Sequence, residues 1–410
     1  MGLTRTLTQT AASLAALLTA ISSGASEPAK GDLEVGDGGT GPFYAWDSAI
    51  PTGTARILRR EPFMPGKALV EAAVSDRVLY SSLGGFDGKQ PIFVSGGVYL
   101  PKGKRPKGGW PVIAWAHGTV GFPDKCAPSF NGWSDRDTQY LNNWLKQGYA
   151  VVATDYEGLG TNGPHPYLMI RSEARGVLDS VLSARQPYGL SRRVVIVGQS
   201  QGAHAATGAA LMQAEMAPSL DLKGVVLTGW VGQMRADPVK MDEYDPWSIL
   251  ILRFLPTHVA IDPGFRPASV LTPAGKARYE SFRTTCGSDA MQKFIADKPI
   301  SRSLFTVDPS SLEARALPYR VYPRLAFKAP VFLGIGEKDT QTSPRGAFEG
   351  AKSACALGTN ITTKFYPGET HGSTVLRSQV DSISWVRAAF SGKVPPGGCE
   401  QLRFPWEQKG

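Results

Sequence analysis

Gly198-Gln199-Ser200-Gln201-Gly202 is the stretch of this chain best suited to covalent chemistry. A serine hydroxyl is a weak nucleophile at neutral pH and needs a base beside it. The apolar run Val194–Val197 leads directly into the first glycine, and Ala203, Ala205, Ala206, Gly208, Ala209 and Ala210 follow the second. Strand, tight turn and close-packing helix in that order make a nucleophile elbow, whose small flanking residues let the backbone bend and leave the hydroxyl clear of the sheet. The hydroxyl then stands near a helix N-terminus, where negative charge is favoured. The competing reading is a buried structural turn.

The base must come from five histidines, His117, His165, His204, His258 and His371. An elbow serine is followed in the chain first by an acid and then by the base. His204 shares a helix with Ser200 and cannot easily face back to it, and His258 precedes the last two strands. His371 lies in Glu369-Thr370-His371-Gly372-Ser373, after the final apolar run, and is the base by elimination and by position. The acid should end the preceding strand. Val331–Gly336 runs into Glu337-Lys338-Asp339, which makes Asp339 the expected partner and Glu337 its rival. The carboxylate would fix the imidazole tautomer and stabilise the imidazolium without taking the proton. Two backbone N–H groups should meet the oxyanion: that of Gln201, after the nucleophile, and one from the loop after an earlier strand. Trp115-Ala116-His117-Gly118-Thr119-Val120-Gly121 is that loop, with Thr119 as donor and His117 as a structural residue orienting it.

These residues need a scaffold that brings distant loops to one edge. Six short apolar runs are visible: Trp110–Ala116, Ala150–Thr154, Val194–Val197, Gly224–Leu227, Pro330–Ile335 and Thr362–Tyr366. Helical spacing occupies 135–147, 172–184 and 200–215. Fully apolar strands alternating with helices imply a mostly parallel sheet covered on both faces. Before them, Val78–Ser82 and Ile92–Leu100 flank a Gly84–Gly88 turn cluster and read as a hairpin. Residues 26–75 have no clear period and read as a surface wrap. About 100 residues, 233–326, interrupt the strand–helix rhythm between the fourth and fifth runs. They hold the apolar helical stretch Trp247–Leu255 and another near Lys276–Phe282. An insertion there overlies the carboxyl ends of the strands, where ligands bind. The expected organisation is an α/β-hydrolase core over 26–232 and 327–410 with a mainly helical cap over 233–326. Trp247–Leu255 suits core packing first and an acyl tunnel second.

The 410 residues are 42% hydrophobic and 19% charged, a globular composition. The net charge of +9 has no basic run or recognition motif that would indicate nucleic acid. Arg5, the apolar Ala11–Ile21 and the small-x-small Ser23-Gly24-Ala25 read as a signal peptide over residues 1–25, so a secreted or periplasmic protein is expected. The four cysteines, Cys126, Cys286, Cys355 and Cys399, form no CxxC, which points to disulfides rather than zinc and leaves three possible pairings. A Cys355–Cys399 bond would staple the Pro/Gly-rich tail to the body.

The elbow, the His117-Gly118-Thr119-Val120-Gly121 loop, Cys126-Ala127-Pro128-Ser129, Asp155-Tyr156-Glu157-Gly158-Leu159-Gly160 and His165-Pro166-Tyr167-Leu168 together resemble the secretory lipase family over roughly residues 40–400. That family includes the yeast lipase A enzymes and many bacterial exported esterases. The resemblance implies a lid between the fourth and fifth of the apolar strands, and the pairing Cys126–Cys286 with Cys355–Cys399. It also implies hydrolysis of acyl esters, with Ser200, Asp339 and His371 at the triad positions. This chain departs from the yeast enzymes at Thr119, where they carry aspartate. The expected reaction is acyl transfer through an acyl-enzyme, with no metal or organic cofactor. The expected partner is a small-molecule or lipid ester, with transient contact at a lipid interface and neither nucleic acid nor an obligate protein partner. Acyl transfer to another acceptor, or amide hydrolysis, is the alternative on the same residues.

Overall fold

The computed structural model describes residues 38–53, 55–232, 238–287, 296–394 and 397–406. The expected signal peptide lies outside them. Among the described residues, nine strands form one sheet: β1 (Ile57–Pro62), β2 (Ala72–Leu83), β3 (Pro91–Pro101), β4 (Trp110–Ala116), β5 (Ala150–Thr154), β6 (Leu190–Gln199), β7 (Asp221–Thr228), β8 (Val331–Lys338) and β9 (Ile361–Thr370). Their order is β1-β2-β3-β5-β4-β6-β7-β8-β9. From β5 to β9 every pairing is parallel. β1, β2 and β3 add an antiparallel flank. This is the α/β-hydrolase architecture, a mostly parallel sheet with helices on both sides.

The central strands read as continuous apolar runs because both their faces are covered. On β4, Val112, Ala114 and Ala116 face one layer of the core while Ile113 and Trp115 face the other. On β6, Val194 and Ile196 alternate in the same way with Val195 and Val197. Helices α3 (Ile170–Arg185), α4 (Gln201–Met216) and α8 (Pro344–Ala356) pack on the first face. Helices α2 (Asp135–Lys146) and α9 (Ser373–Phe390) pack on the second. A short α1 (Pro128–Asn131) precedes α2. Asp residues fill the first turn of α2, and Ser134 caps it by accepting from the Asp137 N–H.

The segment 26–75 departs from its expected role as a featureless wrap. It contributes β1 and the start of β2, with Arg60 opposite Val78 and Pro62 opposite Asp76. An edge strand buries only part of one face, so Arg59, Arg60 and Glu61 are tolerated and the period-2 signal is lost. Between β7 and β8 lie α5 (Pro246–Ile261), α6 (Pro273–Thr284) and α7 (Pro309–Arg320). These helices share an apolar cluster with Phe122, Tyr167 and Leu168 of the loops beyond β4 and β5. Ile251, Leu252 and Leu255 of α5 are buried in it, as core packing requires.

The disulfides are Cys126–Cys286 and Cys355–Cys399. The first joins the loop after β4 to the segment after α6. The second fastens the C-terminal segment to the end of α8.

Candidate active site

β4 and β6 are neighbours, yet the chain leaves β4 for β5 on one side and β6 for β7 on the other. A crevice opens at such a reversal, at the carboxyl ends of the strands. The loop after β4 and the elbow after β6 both start there, with Ala116 paired to Gly198.

Ser200 caps α4 at φ 56° and ψ −120°, a conformation that side-chain-bearing residues rarely adopt. Its N–H donates to the Thr228 carbonyl at 3.0 Å, and its own carbonyl accepts from the N–H groups of Ala203 and His204. The flanking glycines are obligatory on steric grounds. A Cβ at Gly198 would lie 2.1 Å from the Gly202 carbonyl oxygen, and one at Gly202 would lie 1.8 Å from that of Ala116. The turn therefore fits only between two residues without side chains, hard against β4.

His371 follows β9 and is buried at 7% exposure. Its Nδ1 donates to Asp339 Oδ2 at 2.8 Å. Asp339 is held in turn by the N–H groups of Gln341 and Thr342 on Oδ1, at 2.9 and 2.8 Å, and by the Thr342 hydroxyl on Oδ2 at 2.7 Å. Burial raises the Asp339 pKa, but the His371 contact and the Thr342 donors outweigh it and hold the carboxyl below its ordinary value. An ionised acceptor at Nδ1 places the proton there and leaves the lone pair on Nε2, the tautomer a general base needs. Gly229, at φ 56°, clears the space beside the ring, since a Cβ there would lie 2.6 Å from His371 Cε1. The rival acid, Glu337, points elsewhere and accepts from the Gly368 N–H.

Nε2 of His371 is occupied by Gln199, whose Nε2 lies 3.0 Å away. The Gln199 side chain is 2% exposed, and its Oε1 faces Arg136 Nη2 at 3.4 Å. That orientation is the consistent one, because the reverse would set an amide N–H against a guanidinium and a carbonyl against the imidazole lone pair. Arg136 is also paired with Asp137 at 2.8 Å. Among the described residues, the Ser200 hydroxyl makes no hydrogen bond. It lines the same cavity as the imidazole, so Ser200 and His371 share a chamber while the residue beside Ser200 holds Nε2. Sequence reasoning passed over Gln199. Its only signal is its place inside the elbow, one residue before Ser200.

The two expected oxyanion donors border the chamber. Gln201 is the first residue of α4, so its N–H lies outside the intrahelical ladder. Its side chain is anchored by Glu173 Oε1 and His165 Nε2, each at 3.1 Å. Burial pushes His165 down to about 4, and its Nδ1 donates to the Glu157 carbonyl. The Thr119 hydroxyl is engaged with the Tyr167 hydroxyl at 2.7 Å, which fixes the loop opposite Gln201. His117 is fully buried with Nδ1 against the Gly118 carbonyl, and burial pushes it to about 4. His204 turns away from Ser200 toward Glu173 Oε2 at 2.6 Å and the Arg320 carbonyl at 2.8 Å.

The chamber has a volume of about 750 Å³. Ser200, His371, Thr119 and Gln201 border it on the sheet side, and Trp247, Leu250, Arg253 and Phe254 of α5 form the facing wall. The helix expected to serve the core thus does so on one side and borders the cavity on the other.

The sequence model of the secretory lipases matches residues 133–398. The chain belongs to the secretory lipase family. Among curated relatives, Lipase 7 of Candida albicans is 31% identical over 67% of this chain and 64% of its own length. Lipase 6 of the same yeast is 23% identical over the same shares. The chain therefore spans somewhat less than two thirds of these relatives. Candida antarctica lipase A in its closed state is similar in fold, with a TM-score of 0.69 at 20% identity over 87% of this chain and 86% of that one. The rice cell wall degrading esterase LipA from Xanthomonas oryzae has a TM-score of 0.60 at 20% identity, covering 83% of this chain and 98% of the esterase.

Proposed function

We propose that this secretory lipase is an exported serine hydrolase of carboxylic esters, acting through an acyl-enzyme. Ser200 Oγ attacks the ester carbonyl carbon as its proton passes to His371 Nε2. Asp339 keeps the other ring proton in place and stabilises the imidazolium. The N–H groups of Gln201 and Thr119 receive the oxyanion of the tetrahedral intermediate. His371 then returns its proton to the departing alcohol, leaving the acyl group on Ser200. Water, activated by the same imidazole, releases the acid. The scheme uses no metal or organic cofactor. The segment 233–326, which holds α5, α6 and α7, serves as a cap, with α5 as the acyl-binding wall. The two disulfides and the family membership support export, and the lipase and esterase relatives support an ester as substrate.

One observation carries this reading: the strained elbow serine opens into the same chamber as an imidazole whose far nitrogen is fixed by a buried carboxylate. The expected outcome for Ser200→Ala is loss of p-nitrophenyl butyrate hydrolysis with an unchanged thermal unfolding curve. Turnover retained within a factor of about ten, far short of the losses seen when such nucleophiles are removed, refutes the assignment.

A further inference from the structure

Two guanidinium groups border the chamber, and they are not equivalent. Arg136 is paired with Asp137, the one carboxylate among the described residues that line the chamber, and touches Gln199. Arg253 of α5 is half-buried, and among the described residues it has neither a carboxylate within ion-pair distance nor a hydrogen bond. What holds it is aromatic: its guanidinium carbon lies 4.8 Å from the Tyr167 ring centre and 5.7 Å from that of Phe122. Stacking of this kind fixes the plane of the group while leaving its N–H fork free. The Tyr167 hydroxyl meets Thr119, so a single ring separates this cation from the expected oxyanion loop.

A guanidinium held on two rings with its N–H fork turned to a chamber is suited to a planar anion, which it can meet with two parallel hydrogen bonds. Among the described residues that border the chamber, two are arginines and one is an acid, and that acid is already taken by Arg136. We propose that this chamber selects esters bearing an acidic group, carboxylate or phosphate, which Arg253 receives. Arg253 is then a specificity residue. The inference rests on the ester-hydrolase reading above and adds the substrate class.

The test uses matched ester pairs. On the acyl side, mono-p-nitrophenyl glutarate is compared with its methyl ester. On the alcohol side, the butyrate ester of 4-hydroxybenzoate is compared with that of methyl 4-hydroxybenzoate. In one pair the native protein is expected to favour the acidic member about tenfold in kcat/KM, mainly through KM, as a charge-assisted hydrogen bond allows. Raising the salt concentration should reduce that preference. Arg253→Met should abolish it, Arg253→Lys retain part of it, and Arg253→Glu reverse it. A phosphonate in place of the favoured carboxylate tells the two acidic groups apart. No preference in either pair, or a preference that survives in Arg253→Met, overturns the proposal. Binding needs no turnover, so calorimetric titration with glutarate and 4-hydroxybenzoate tests it separately. Equal affinity of the native and Arg253→Met proteins sinks the inference even if ester hydrolysis stands. Arginine-dependent binding without hydrolysis instead sinks the hydrolase reading.

Discussion

Gln199 provides a sharp perturbation because it competes with Ser200 for one lone pair. Its amide donates to His371 Nε2 at 3.0 Å, and in the proposed mechanism that same nitrogen accepts the serine proton as attack begins. The bond joins neutral partners, so its net value is about 1 kcal/mol, which converts to about fivefold in an equilibrium. Gln199→Leu keeps the volume against Gly118 and removes the donor. Arg136 keeps its pairing with Asp137, so no buried cation is orphaned. The expected result is an increase in kcat/KM of up to about fivefold for p-nitrophenyl butyrate, since the imidazole no longer has to be released. Gln199→Glu should act in the opposite sense. A carboxylate beside Nε2 favours the imidazolium, so the acid limb of the pH–rate profile should move to higher pH. Stopped-flow burst amplitudes separate acylation from deacylation in both variants. A tenfold or greater fall in kcat/KM for Gln199→Leu, with folding intact, would refute the competition and make the amide a required support of the base.

The Cys355–Cys399 bond closes a loop with a sequence separation of 44. Replacing both cysteines by serine should lower unfolding stability by about 4 kcal/mol, read from urea titration, and a loss below about 1 kcal/mol would argue against tail stapling. Stability should also depend on pH in an unusual direction. Burial, outweighing the serine hydrogen bonds they accept, raises Asp155 and Asp179 each to about 6. For a folded-state value above the unfolded one near 3.9, the contribution is fully present below about pH 4 and is lost as pH rises through about 6. Each group contributes on the order of 3 kcal/mol to that decline, and Asp179→Asn should remove about half of it. Asp339 has the opposite sign, being held low, and its contribution disappears only in stronger acid. Urea titrations from pH 4 to pH 8 giving a flat profile would contradict the assignment.

The legible part of this protein is the part with local cause. The central strands announce themselves because both faces are buried, so Val112 to Ala116 and Val194 to Val197 carry no polar alternation. The elbow is legible because the steric demand at Gly198 and Gly202 is met by the sequence itself. His371 and Asp339 are expected together from their places after successive strands, and the hydrogen bond between them joins residues 32 apart. β1 was not legible, since an edge strand can mix Arg59, Arg60 and Glu61 without penalty. Nothing in the sequence marks Gln199 and Arg253 as residues that border the chamber. One acts through a partner 172 positions away, and the other faces the chamber from a helix whose apolar pattern reads as core. Pairings of that range are set by the packed fold rather than by any pattern in the neighbouring sequence.

The most direct test of the account is where a covalent probe of serine nucleophiles attaches. Reaction with a fluorophosphonate, followed by peptide mass mapping, should yield one adduct, on Ser200. Labelling should be abolished in Ser200→Ala and at least about a hundredfold slower in His371→Ala, as loss of a general base requires. An adduct on any other residue, or a label on Ser200 whose rate is indifferent to His371, would contradict it.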